Sequence, residues 1–141
     1  MAGWTTERVP SAGILHTVAA AGPSTAWACG IAVREADEFA TLIFRRVGQG
    51  WEQVEAPQIG RVNRVLAVGE ADVWAAGGGW SLHWDGLEWR KLPTAVIKDS
   101  EPQFFGLAQF GGDDVWMAGY APPRIPASPG DRAALGRHCL E

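Results

Sequence analysis

Two tryptophan motifs alternate along this chain of 141 residues, and their spacing limits the fold more than any other feature. The first motif reads Thr25-Ala26-Trp27-Ala28-Cys29-Gly30, then Asp72-Val73-Trp74-Ala75-Ala76-Gly77, then Asp114-Val115-Trp116-Met117-Ala118-Gly119. The second opens at Gly3-Trp4 and closes at Val9-Pro10, recurs from Gly50-Trp51 to Ala56-Pro57, and recurs again as Glu88-Trp89-Arg90-Lys91-Leu92-Pro93. Trp4 to Trp27 and Trp51 to Trp74 are both 23 residues, and Trp89 to Trp116 is 27. The first motif recurs after 47 and then 42 residues, the second after 47 and then 38. Such a period marks a repeat architecture, in which each unit buries its apolar face against its neighbours.

Upstream of each first-motif Trp the register holds without a gap. Val18, Val65 and Leu107 stand nine residues before it; Gly22, Gly69 and Gly111 stand five before; Gly30, Gly77 and Gly119 stand three after. Each unit therefore predicts an apolar strand (17–21, 64–68, 106–110), a tight turn, and a second strand around the Trp. Asp85-Gly86 between Leu82-His83-Trp84 and Leu87-Glu88-Trp89 is a hairpin signal, since Gly supplies the positive φ that two-residue turns require. Four short antiparallel strands per period of 40–50 residues predict a propeller-type blade. A plain antiparallel sandwich is the alternative.

The pattern DVWAAG followed by LHWDGLEWRKLP resembles the repeats of bacterial propeller proteins of the kelch and galactose-oxidase-like type, over roughly residues 1–120. The resemblance implies an all-β fold of four-stranded antiparallel blades. It implies little chemistry, because propellers serve as lectins, enzymes and scaffolds alike. The chain divides on this reading into a lone fourth strand at 3–10, blades at 11–57 and 58–93, and a partial blade at 94–120. The tail at 121–141 carries Pro122, Pro123, Pro126 and Pro129, which oppose sheet pairing. A helical turn at Ala133-Ala134-Leu135, a disordered tail, a truncation or a non-native extension all remain open there.

Two and a half blades are too few to close a ring, so either copies assemble or the chain is a fragment of a longer propeller; the expected partners are another copy of the chain or another protein, with a glycan as a further ligand. The lone strand at 3–10 is expected to complete a neighbouring copy's last blade. The net charge is −4 and no basic block stands out, which argues against nucleic acid. No apolar run approaches the length of a membrane-spanning helix. The N-terminus lacks the charged and apolar regions of a signal peptide, so a cytoplasmic location is expected. The two cysteines do not make a disulfide framework; Cys29 takes a repeat position held by Ala76 and Ala118 and reads as a small buried side chain.

Catalytic constellations, metal ligands and cofactor motifs do not emerge. His16, His83 and His138 lack metal spacing, and Gly77-Gly78-Gly79 has no helix after it to cradle a phosphate. Variable loops on a rigid scaffold are where binding concentrates. The long second-to-third-strand connection of the first unit brings Arg34, Glu35, Asp37 and Glu38, and the last inter-unit connection brings Lys98, Asp99 and Glu101. Both fall on one face of a blade meander. Trp51, Trp84 and Trp89, if exposed, offer sugar-stacking surfaces; if buried, they are scaffold. The expected function is a non-catalytic binding or assembly module. The alternative is an enzyme with its pocket on the long-loop face.

Overall fold

The computed structural model describes residues 3–11, 13–33, 39–93, 102–111, 113–121 and 132–138. They form eleven strands and, among the described residues, no helix. The first sheet takes β1 (Ile14–Ala20), β2 (Thr25–Val33), β3 (Phe39–Val47) and β4 (Gly50–Gln53) in sequence order. The second takes β5 (Val62–Gly69), β6 (Asp72–Gly77), β7 (Trp80–Trp84) and β8 (Trp89–Pro93), again in order. The third holds β9 (Gln103–Gln109), β10 (Val115–Ala121) and β11 (Arg132–His138). Every pairing is antiparallel.

The repeat survives into the register. Trp27, Trp74 and Trp116 lie on β2, β6 and β10, opposite Ala19, Leu66 and Ala108 on the preceding strand. On the following strand they stand opposite Arg45, His83 and Arg137. The motif glycines have a common cause. A Cβ on Gly30 would collide with the Ile14 carbonyl, one on Gly77 with that of Arg61, and one on Gly119 with that of Gln103. Those three carbonyls stand at one repeat position, where the first strand of each sheet presses its backbone onto the second. The β7–β8 connection spans four residues, Asp85 to Glu88, rather than two, but Gly86 takes the expected positive φ of +100°, and the Asp85 carboxylate accepts hydrogen bonds from the Leu87 and Glu88 amides at 2.9 and 3.0 Å.

Two segments differ from expectation. Residues 132–138, left open among a helical turn, a disordered tail, a truncation and a non-native extension, pair along β10 as a third strand, with Ala133, Ala134 and Leu135 opposite Tyr120, Gly119 and Ala118. The prolines all precede this strand, so they do not interrupt its ladder. Residues 3–10, expected as a lone fourth strand, form none. They run instead across their own first sheet. Gly13 makes that path possible, because a Cβ there would meet Leu42 Cδ2 at 2.7 Å and the Ile31 carbonyl at 2.8 Å.

The sheets stack in order. β5 lies against β1 and β2, and β9 against β5 and β6. Alternation of side chains sends Trp27, Cys29 and Ile43 of the first sheet into one core with Val65, Val73, Ala75, Leu82, Trp84 and Trp89 of the second. Trp27 is fully buried, 4.9 Å from the Trp84 ring centre and 5.0 Å from that of Trp89. The Arg45 guanidinium lies 5.6 Å from both the Trp27 and Trp84 rings. The opposite face of the second sheet packs Ala76 against Phe104, Met117 and Ala121. Polar ties join the sheets: Thr17 Oγ1 accepts from the Val65 amide at 3.1 Å, and Asn63 Nδ2 donates to the Phe104 carbonyl at 3.0 Å.

Candidate functional site

Successive sheets bury one another's faces, and the three described sheets present two outer faces. The outer face of the third sheet carries Gly106, Ala108, Phe110, Trp116 and Ala118, which line an almost purely apolar dish of about 370 Å³. Phe110 is 73% exposed, and its ring meets Trp116 edge-on at 5.9 Å. Trp27 and Trp74, at the same repeat position, are buried.

The outer face of the first sheet is occupied by the N-terminal segment. Arg46 donates through Nε and Nη2 to both Glu7 carboxylate oxygens at 3.1 and 3.0 Å, and Trp51 Nε1 donates to Glu7 at 2.6 Å. The Arg46 and Trp51 hydrogen bonds hold the Glu7 carboxyl below its ordinary range, and Glu7 in turn raises the Arg46 guanidinium. Between this segment and the sheet runs a groove of about 770 Å³, bounded by Trp4, Glu7 and Val9 above and by Leu15, Val18, Ala28 and Trp51 below. Leu42 and Phe44 on the same face are fully buried.

A third hollow, about 340 Å³, opens where the second-to-third-strand and inter-unit connections meet. Ile31 and Phe39 flank the first long connection, Gln103 follows the second, and all three line this hollow with Ile59, Arg61 and Gly78. The Arg34, Glu35, Asp37, Glu38, Lys98, Asp99 and Glu101 cluster proposed from sequence lies outside the described residues.

The other sequence candidates separate by burial. Trp84 and Trp89 are 5% and 4% exposed and belong to the core around Trp27. Trp51 is half-buried at the edge of the groove. Sequence reasoning missed Trp4, Glu7 and the placement of Trp116 on the third sheet's outer face, although the one-sheet-to-the-next periodicity contained the last of these: among the described residues the third member of the series faces no following sheet.

Groups with reactive chemistry are engaged structurally. Cys29 is buried, and desolvation pushes its thiol well above the ordinary range. Asp72 accepts from the Trp74 indole at 3.0 Å and lies 2.8 Å from His83 Nε2, while the His83 ring lies 4.3 Å from that of Trp74. This is the repeat's own Trp pairing, with His83 where the first sheet has Arg45. Among the described residues, no three His, Cys, Asp or Glu side chains converge on a metal site, and no helix is long and apolar enough to cross a membrane. No family model, curated protein or solved structure matches the chain.

Proposed function

We propose that this chain is a non-catalytic assembly module built from propeller-type blades of the kelch and galactose-oxidase-like kind, whose last blade face takes up a further folded element. The carrying observation is the dish around Phe110 and Trp116, apolar in its lining and, among the described residues, not covered by a further sheet as the equivalent faces of the first two sheets are. Exposed contiguous apolar surface of this kind marks interaction sites in soluble proteins. Burial of Trp84 and Trp89 favours a protein partner over a glycan, because those rings are committed to the core.

The test is an apolar fluorescent dye such as anilinonaphthalene sulfonate. The chain should bind it, and Ala118→Glu should abolish binding while leaving the unfolding midpoint nearly unchanged, since Ala118 is exposed and surface changes are usually within about 0.5 kcal/mol. Dye binding that survives Ala118→Glu would place the apolar surface elsewhere and refute the reading.

A further inference from the structure

We infer that Arg46 and Trp51 form a receptor for a carboxylate carried on an extended acidic peptide of a partner protein, and that Glu7 fills it as an internal stand-in. The inference is independent of the dish on the third sheet. Three donors converge on one carboxylate: Arg46 Nε and Nη2 reach the two Glu7 oxygens at 3.1 and 3.0 Å, and Trp51 Nε1 reaches one of them at 2.6 Å. Parallel N–H bonds from one guanidinium to both oxygens select a planar carboxylate. All three donors stand on one hairpin. Arg46 and Trp51 are directly paired across β3 and β4. In the turn between them Arg46 Nη1 donates to the Gly48 carbonyl at 2.6 Å, and Gly48 has φ +68°. The hairpin itself therefore aims the fork, and keeps it aimed when Glu7 departs. The repeat does not require such a fork. The same register positions in the second sheet hold Trp84 and Trp89, which pair across β7 and β8 and are buried in the core.

The internal occupant is loosely seated. Residues 3–8 are exposed, Trp4 wholly so, and they form no strand. Among the described residues, Glu7 makes the only hydrogen bonds from residues 3–10 to the sheet. The groove of about 770 Å³ separates this segment from a floor of Leu15, Val18 and Ala28, and a volume of that order takes a ligand. The basic side chains of His16 and Arg64 line the same groove, both exposed, with no ion-pair partner among the described residues. A carboxylate fork, an apolar floor and two unpaired basic groups together match a peptide with acidic residues either side of apolar ones. Such a peptide must displace Glu7, so its apparent affinity falls by the fraction of molecules in which the fork is vacant.

The test is titration of the full chain with a blocked tetrapeptide, glutamate at each end and two leucines between, followed through the Trp51 indole proton by NMR. The parent chain should bind it weakly, and Glu7→Ala about tenfold more tightly, because the stand-in is gone. The counterpart peptide with glutamine in place of glutamate should bind at least about tenfold more weakly, having no charge to match the fork. In the Glu7→Ala background, Arg46→Lys should weaken binding about tenfold, since an ammonium cannot make the parallel pair. Val18→Glu, at an exposed floor site, should abolish binding there while the unfolding midpoint stays nearly unchanged. The inference is overturned if the glutamate and glutamine peptides bind alike, if Glu7→Ala binds no more tightly than its parent, if Arg46→Lys or Val18→Glu binds like its Glu7→Ala background, or if no form binds. It is also overturned if acetate at the same carboxylate concentration moves the Trp51 signal as far as the peptide does, because the fork is then an anion contact without a peptide site around it.

Discussion

Replacing Trp27 with Ala probes the contact that joins the first sheet to the second. Its ring is fully buried between the first and second sheets. Truncating a buried Trp costs about 3–5 kcal/mol from lost burial and the cavity left behind. Two aromatic pairs go with it, at 4.9 and 5.0 Å, each contributing about 0.5–1.5 kcal/mol beyond area. These place the loss near the upper end of the range. One term works the other way. Among the described residues the buried Trp27 indole nitrogen has no hydrogen-bond partner, so truncation breaks no bond there and removes an unpaired donor, returning roughly 1 kcal/mol. The net loss is on the order of 4 kcal/mol. Against a total stability of about 5–15 kcal/mol the variant should remain folded but close to threshold. Urea unfolding should show a lower midpoint at unchanged slope, and thermal unfolding a fall of about 10 °C. Trp27→Phe, which keeps a ring and also removes the unpaired donor, should lose much less. A loss below about 1 kcal/mol for Trp27→Ala would mean that the two sheets do not share this core.

Trp74→Ala should cost a comparable 3–5 kcal/mol, here with loss of the indole bond to Asp72. In a Cys139→Ser background, Cys29 should resist thiol reagents at neutral pH and react only once denaturant unfolds the chain, because burial raises its thiol. Gly77→Ala should lower the thermal midpoint strongly, since the added methyl strikes the Arg61 backbone carbonyl rather than a movable side chain. Glu7 binds protons more weakly when its segment is docked, so docking is favoured above its ordinary value of 4.5 and lost as pH falls through the lower docked value. The Trp51 indole proton, followed by NMR, should report that release on acidification; an indole signal flat across the acid range would contradict the Glu7 contact.

Much of the strand pattern was legible because the information is local and repeated. The register around Trp27, Trp74 and Trp116 required no alignment beyond the chain itself, and Asp85-Gly86 declared its turn through the conformation only Gly adopts readily. Burial of Trp84 and Trp89 followed no local rule. It depends on the neighbouring sheet delivering Trp27 between them. The N-terminal segment misled for a related reason. Its Gly-Trp start and closing Pro imitate Gly50–Pro57, but a strand also needs an open edge beside it, and sequence similarity does not supply one. β11 was masked in the opposite way: Arg132 to His138 lacks the motif Trp, and a proline-rich stretch precedes it. Its place follows from the unpaired edge of β10, a tertiary fact.

The in-order meander of each sheet has a consequence for how the molecule holds together in time. Every strand pairs with its sequence neighbour, so each sheet can zip from a short window of chain, and cooperativity passes only between adjacent sheets, as in a one-dimensional Ising array. In such an array the middle member is coupled on both sides and the terminal members on one. Of the three described sheets, the second is therefore expected to open most slowly. The first is protected at its free end by the strap of residues that crosses it. The third, with no such strap among the described residues, is where fraying and the fastest amide exchange are expected.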